Sequence, residues 1–241
     1  MIQTFPIHAY EVDERGRLTA LALCNYLQEL AARHAVELGV GKWAMEKEGL
    51  VWVLAKLRVQ VHRWPLWSEG EVEIETWPSV IERLLAYREF RIRDTEGAII
   101  AEATSQWVLI DLERRRPVRV PEHVEALLAG TPERDVAGPS PRLRPLKTAT
   151  KTRAFPVRRF DVDINGHVNN ARFAGWVVES VPDDVWTGKS LRTLDIQFKA
   201  ETFYPGTVAS ALQPSEEVGT FQHALRDEDG TVLVLAQTQW T

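Results

Sequence analysis

The chain has 241 residues, 44% hydrophobic and 26% charged, which is enough to build one large domain or two small ones with real cores. Its formal net charge of -5 argues against a dedicated nucleic-acid binder, since such domains usually carry a concentrated basic face. No apolar run approaches the roughly 20 residues that span a bilayer, and Met1 begins directly on polar, strand-like sequence without a signal peptide, so we expect a soluble cytoplasmic protein with no membrane attachment.

Two segments of the chain share one pattern. FPIHAYEVDERGRL occupies positions 5–18 and FPVRRFDVDINGHV occupies 155–168, at a constant offset of 150 residues. LRVQV at 57–61 resembles LDIQF at 194–198, and the segment that ends at Trp107 resembles the one that ends at Trp240. Three matching blocks in the same order predict an internal duplication.

The first half predicts a strand, a long helix and then several strands. Helical spacing of apolar residues continues to Leu38, and the helix should end near Gly39. Alternating patterns predict strands over 57–61, 72–77, 87–93 and 99–109, followed by a short helix over 122–129. The single cysteine, Cys24, falls on the long helix and is expected to be a buried structural thiol.

A proline-rich connector separates the halves. It contains Pro132, Pro139, Pro141 and Pro145, which favour an extended chain. We predict a first domain over 1–130, a linker over 131–150 and a second domain over 151–241. In the second half a shorter helix should end at Pro182. One helix and a run of strands in each half predict an α+β fold, with an antiparallel sheet wrapped around the helix.

Only the second copy carries a compact polar set. Asn165 and His167 stand where the first copy has Arg15 and Arg17, and Asp163 precedes them. A carboxylate can act as a base, an imidazole titrates closest to neutral pH, and an amide both donates and accepts hydrogen bonds. These residue types suit the activation of water. The alternative is that they are ordinary turn and helix-cap residues.

The motif DINGHVNN at 163–170, followed by FAGW at 173–176 and ESVP at 179–182, resembles the signature of the acyl-acyl-carrier-protein (acyl-ACP) thioesterases of plants and bacteria. The resemblance covers almost the whole chain and implies a tandem (double) hotdog fold. It also implies that Asp163, Asn165 and His167 act together with Glu201. Plant members commonly have Cys at the next position, where this chain has Thr202, which argues against a covalent cysteine mechanism here.

The activity implied by the resemblance is hydrolysis of fatty acyl-ACP, which releases free fatty acid and terminates elongation. The first domain would be non-catalytic and would bind the acyl chain, with Trp43, Met45, Trp52 and Leu54 as candidates. Core packing is the alternative role for most of them. No metal or other cofactor is expected, because the histidines lack paired ligand spacing and a carboxylate base can activate water unaided.

Acyl carrier protein, which is acidic and helical, is the partner that the resemblance implies. Lys151, Arg158 and Arg159 are the candidate residues for binding it, and a solvated basic surface is the alternative. The other functions left open are acyl-CoA hydrolysis, a hotdog hydratase or dehydratase, and a non-catalytic acyl-binding protein. A tandem hotdog is sufficient as a monomer, and a homodimer is the other possibility.

Overall fold

A computed structural model describes residues 1–128, 134, 136–138, 140–146 and 148–241. The chain divides into two compact units, Met1–Pro139 and Ser140–Thr241. The domain boundaries at 130 and 150 stay predictions, because Pro132 and Pro139 of the connector lie outside the described residues. No helix in the described part of the chain has the length and apolar character that crossing a membrane requires.

The first unit is an antiparallel sheet with one long helix. In chain order the described elements are β1 (Ile2–Pro6), α1 (Ala20–Glu37), α2 (Lys42–Lys47), β2 (Leu50–Val61), β3 (Glu71–Glu82), β4 (Leu85–Arg93), β5 (Ile99–Asp111), β6 (Arg116–Val118) and α3 (Glu122–Glu125). The strand order is β1-β3-β4-β5-β2, and β6 pairs with the end of β5.

Local sequence sets the ends of α1 and its packing. The Thr19 hydroxyl accepts a hydrogen bond from the Ala22 N–H at 3.2 Å, which caps the first turn. Gly39 follows the helix with a φ of 75°, a left-handed conformation that favours glycine. On the buried side of the helix, Tyr26 stacks on Phe5 of β1 with ring centroids 4.8 Å apart. The helix is thus held against the sheet of its own unit.

The second unit repeats this plan. Its elements are β7 (Lys151–Pro156), α4 (Asn170–Glu179), α5 (Asp183–Gly188), β8 (Leu191–Phe198), β9 (Thr207–Pro214), β10 (Thr220–Arg226) and β11 (Val232–Trp240). The strand order, β7-β9-β10-β11-β8, matches the order β1-β3-β4-β5-β2 of the first unit, strand for strand. Phe173 of α4 contacts Phe198 of β8, with ring centroids 6.2 Å apart. The shared strand order confirms the duplication and the α+β class.

The strands predicted for the first half all lie within β2 to β5. Two short helices, α2 and α5, were not expected, because six residues are too few to show a periodic pattern. The helix predicted over 122–129 is the single turn α3, continued by a 3₁₀ turn at Ala126–Leu128. Ala129 lies outside the described residues.

Candidate active site

The polar residues of the second copy lie in a tight turn between β7 and α4. The Asp163 N–H donates to the His167 carbonyl at 2.8 Å, and the Gly166 N–H donates to the Asp163 carbonyl at 3.0 Å. Gly166 has a φ of 80°, which a residue with a Cβ adopts only at a cost. The backbone of the turn therefore holds Asp163, Asn165 and His167 together.

The carboxylate of Asp163 is held by Asn165. Oδ1 of Asp163 accepts a hydrogen bond from the Asn165 backbone N–H at 2.8 Å, and Oδ2 accepts one from the Asn165 amide Nδ2 at 3.4 Å. The first bond is the usual one of an Asx turn. The second places the amide beside the carboxylate. Asn165 is exposed, and its second amide hydrogen could donate to a bound molecule.

His167 faces a second carboxylate from a distant part of the chain. Its Nδ1 lies 3.3 Å from Oε1 of Glu201, and both side chains are accessible to solvent. The segment that carries Glu201 follows β8 and is anchored to the turn, because the Val168 N–H donates to the Thr202 carbonyl at 3.0 Å. The ring of Phe203 meets the imidazole edge to face at 5.0 Å. The structure thus brings the predicted histidine and glutamate into contact.

The first copy has the same turn with different chemistry. The Asp13 N–H donates to the Arg17 carbonyl at 2.8 Å, and the Leu18 N–H donates to the Pro65 carbonyl at 2.9 Å, as in the second copy. The Asp13 carboxylate, however, pairs with the Arg17 guanidinium at 2.9 Å. Trp64 precedes Pro65 where the second copy has its glutamate. Because the Asp13 carboxylate is paired with a cation and Arg17 stands at the position of His167, the turn of the first copy offers no evident base.

The N-terminus of α4 begins directly after the turn. Asn169 caps the helix by accepting a hydrogen bond from the Ala171 N–H at 3.0 Å, and its own N–H donates to the Asp161 carbonyl at 2.8 Å. Asp161 is buried and pairs with Nε of Arg172 at 3.2 Å. This pair was not singled out from the sequence, and the only available signal was its closeness to the motif. It fixes the start of α4 beside His167.

The basic residues predicted for carrier binding lie on the same unit. Nζ of Lys151 on β7 donates to the Val181 carbonyl at 3.2 Å. Arg158 and Arg159 are exposed in the turn that leads to the polar set. The structure thus places both arginines close to the motif in sequence and in space, and their role stays a prediction.

The four residues predicted to bind the acyl chain lie in three different environments. Leu54 is buried and lines a small cavity between α1 and the sheet. Met45 is buried in a cluster against which Trp52 packs, and the Trp52 indole N–H donates to the Val40 carbonyl at 3.1 Å. Trp43, on α2, is 62% exposed. The structure brings Met45 and Trp52 together, but it does not place Trp43 with them.

The cavity at Leu54 lies inside the first unit. Its volume is about 10 Å³, roughly the space for one water molecule. Residues of α1, β2, β4 and β5 surround it: Leu27, Gln28, Leu54, Leu57, Phe90, Ser105 and Trp107. Leu54 is the one residue of this set that the sequence analysis predicts as a contact of the acyl chain. The others became recognisable only once α1 and the sheet were paired.

A polar pair lies on the helix-facing side of the same sheet. Nδ1 of His34 on α1 is 2.9 Å from a guanidinium nitrogen of Arg88 on β4. Burial and the guanidinium lower the pKa of His34 to about 4, and burial lowers the pKa of Arg88 to about 10. His34 is therefore neutral at pH 7 and accepts the hydrogen bond.

Two further observations bear on the chemistry of the site. Among the described residues, no group of three or more His, Cys, Asp or Glu side chains is arranged to hold a metal ion. Cys24 is buried on α1, and its burial raises the pKa of the thiol to about 12. A thiol with that pKa is protonated at neutral pH and is a poor nucleophile.

The sequence of the chain matches a known class of protein over both units. Residues 1–128 match the acyl-ACP thioesterase N-terminal domain, and residues 145–241 match the acyl-ACP thioesterase C-terminal domain. The chain belongs to the acyl-ACP thioesterase family. The resemblance found in the motif is therefore confirmed.

Individual relatives support the same family. The chain is 30% identical to acyl-[acyl-carrier-protein] hydrolase FATB2 of Cuphea viscosissima, over 99% of this chain and 62% of the relative. It is 30% identical to oleoyl-acyl carrier protein thioesterase 2 of Arabidopsis thaliana, over 99% of this chain and 76% of the relative. Both relatives are chloroplastic. The chain spans about three-fifths of the length of the Cuphea relatives that it matches.

Solved structures confirm the hotdog-like fold. The 12:0-ACP thioesterase from Umbellularia californica matches with a TM-score of 0.87 and 28% identity, covering 100% of this chain and 96% of that one. An acyl-ACP thioesterase from Bacteroides thetaiotaomicron matches with a TM-score of 0.89 and 23% identity, covering 100% and 97%.

Proposed function

We propose that the chain hydrolyses the thioester of fatty acyl-ACP and releases free fatty acid, which terminates elongation. The observation that carries the proposal is the contact of His167 with Glu201 beside Asp163 and Asn165, in one copy of a duplicated fold in this family. The other copy keeps the turn but neutralises its carboxylate with an arginine. The second unit would therefore be catalytic and the first would bind the acyl chain.

The contact of His167 with Glu201 suggests how water is activated. Glu201 orients the imidazole through Nδ1, so that Nε2 can take a proton from water as the new C–O bond forms. Asp163 holds the Asn165 amide, whose second hydrogen can donate to the carbonyl oxygen as it becomes anionic. The positive end of the α4 dipole, which begins directly after His167, adds to this stabilisation.

Collapse of the tetrahedral species breaks the C–S bond. The leaving thiol has a pKa near 8.5, so it departs as a thiolate with little assistance and then takes up a proton. The imidazolium of His167 can supply that proton. Water and thioester are consumed, fatty acid and thiol are formed, and no step of this sequence uses a metal or an organic cofactor.

The cellular compartment, the oligomeric state and the partner of the enzyme are proposed as well. We place the enzyme in the cytoplasm as a monomer or homodimer, where its partner is acyl carrier protein. The single buried cysteine, Cys24, is compatible with a reducing compartment, in which structural disulfides are rare. Arg158 and Arg159, which are exposed, would attract the acidic carrier.

The test is release of free fatty acid from a panel of acyl-ACPs and the matching acyl-CoA thioesters. The wild type should favour the carrier protein, and Asp163→Ala should lower the rate by at least about 100-fold. Asp13→Ala, at the same place in the other copy, is the matched control and should retain activity. Equal rates on acyl-CoA would indicate an acyl-CoA thioesterase. Tight acyl binding without hydrolysis would indicate a binding protein.

A further inference from the structure

The surface around the catalytic turn exposes apolar side chains beside cations. We call it the turn surface and define it by five residues: Arg158, Arg159, Phe160, Ile164 and Tyr204. Phe160 is 67% exposed and Ile164 is 79% exposed. Exposed apolar residues that cluster together commonly mark an interaction site, whereas single ones need no explanation.

The two arginines of the turn surface rest on its aromatic rings. The guanidinium of Arg158 lies 5.7 Å from the ring centre of Phe160, and that of Arg159 lies 4.6 Å from the ring centre of Tyr204. Among the residues that the structure describes, neither guanidinium forms an ion pair with a carboxylate, and the contact of Arg158 with Asp161 is made by its backbone N–H, which donates to Oδ2 at 2.8 Å. Stacking orders both cations without neutralising them. They are therefore available to acidic groups of another molecule.

The duplication provides an internal comparison. At the same offset of 150 residues, the first copy has His8 and Ala9 in place of the arginines and Glu14 in place of Ile164. An exposed ring is common to both copies, since Tyr10 corresponds to Phe160. At these three positions the cations and the exposed isoleucine are found only in the copy that carries the polar set, whereas the cations of the first-copy turn are Arg15 and Arg17.

We infer that the turn surface is the docking site for an acidic carrier protein, an inference that rests on the proposed function and deepens it. The chain has a net charge of -5, so an acidic partner is repelled by the molecule as a whole and needs a local basic surface to approach. Arg158 and Arg159 supply that charge. Phe160 and Ile164 supply exposed apolar area for the contact.

The position of the turn surface also fits this partner. Tyr204 follows Phe203, whose ring contacts His167, so that the surface is continuous with the catalytic residues. A carrier seated there would present its thioester close to the imidazole. Lys151 is not included, because its ammonium group donates to the Val181 carbonyl.

The experiment compares one acyl group on three carriers: acyl carrier protein, coenzyme A and N-acetylcysteamine, which has neither protein nor phosphate. For the double variant Arg158→Glu/Arg159→Glu we expect kcat/KM on the carrier protein to fall at least about 10-fold more than on N-acetylcysteamine, mainly through KM and with a weaker salt dependence. Ile164→Ser should act in the same direction without a change of charge. The matched control, His8→Glu/Ala9→Glu, should leave the carrier preference unchanged.

Three results would overturn the inference. The first is an equal loss of kcat/KM on all three substrates, and the second is no loss on any of them. The third is an equal loss on coenzyme A and carrier protein, because that result would assign the arginines to the phosphate that both carriers share. Calorimetric titration with carrier protein that bears no acyl group separates docking from hydrolysis. If the wild type hydrolyses nothing but binds this carrier, and the double variant binds it at least about 10-fold more weakly, docking stands and the proposed activity fails. If the titration shows no difference, docking fails.

Discussion

At the scale of single residues, the contact between His167 and Glu201 predicts that they act as one unit. Glu201→Gln keeps the shape of the side chain but removes the charge that orients the imidazole, and should lower kcat about 100-fold. His167→Gln should lower it at least as much. Because residues of one catalytic unit are not additive, the double variant should be no slower than His167→Gln. If the fold-loss of kcat in the double variant equals the product of the two single losses, the residues act separately. Glu179→Gln, an exposed carboxylate of the same unit, is the control.

A second residue-scale prediction concerns stability. His223 is buried, with Nε2 2.9 Å from the hydroxyl of Thr238, and burial lowers its pKa to about 3. In the unfolded chain its pKa is near 6.5, so between these values the unfolded state binds more protons and stability falls as pH falls. From pH 7 to 5 this residue should cost about 2 kcal/mol, because the slope approaches 1.36 kcal/mol per pH unit only below pH 6.5.

Urea unfolding at both pH values tests this contribution. His223→Gln should remove about 2 kcal/mol of the pH dependence while it lowers stability at pH 7. The exposed His8→Gln should keep the slope of the wild type. Parallel slopes for His223→Gln and the wild type would show that the imidazole can be protonated inside the fold.

At the scale of elements, the two long helices have equivalent caps with different consequences. Thr19→Ala and Asn169→Ala each remove a side-chain acceptor from the first helical turn and should each cost about 1 kcal/mol of stability. Because α4 begins directly after His167, Asn169→Ala should also lower kcat. Thermal unfolding and hydrolysis rates, measured together, test both effects. Equal effects of the two variants on kcat would contradict the assignment of catalysis to the second unit.

Elements also show what the sequence could predict. The α1 helix and strands β2 to β5 have long, clear periodic patterns, and the duplication supported each prediction twice. The short helix α2 has no such pattern, so the sequence does not distinguish Trp43, whose side chain is exposed, from Met45, whose side chain is buried.

Some residues of the candidate site could likewise be predicted from the sequence, and others could not. Asp163, Asn165 and His167 are neighbours in sequence, and a turn motif could predict their proximity. Glu201 lies after β8 and entered only through the family resemblance. The stacking of Arg159 on Tyr204 joins two loops of the second unit, and no local pattern encodes that contact.

At the scale of the whole molecule, duplication allows the two units to be specialised. One copy keeps a polar turn, and the other has a space of about 10 Å³ between α1 and its sheet, lined by Leu54 and Phe90, which an acyl chain could enter only by displacing side chains. If the acyl chain occupies that side of the first unit, substitutions there should change chain-length preference without changing the pH profile of kcat. Substitutions in the polar turn should change the pH profile of kcat without changing chain-length preference.

Leu54 allows this separation to be tested in both directions. Leu54→Ala enlarges the cavity and should shift the ratio of kcat/KM toward longer acyl-ACPs by about 10-fold, whereas Leu54→Phe fills it and should shift the ratio toward shorter ones. Opposite shifts cannot come from a general loss of stability, which both variants share. Leu212→Ala, in the core of the second unit, is the control for destabilisation and should leave the ratio unchanged. A panel of acyl-ACPs of graded length measures the ratio, and shifts of the same sign for both Leu54 variants would place the acyl chain elsewhere.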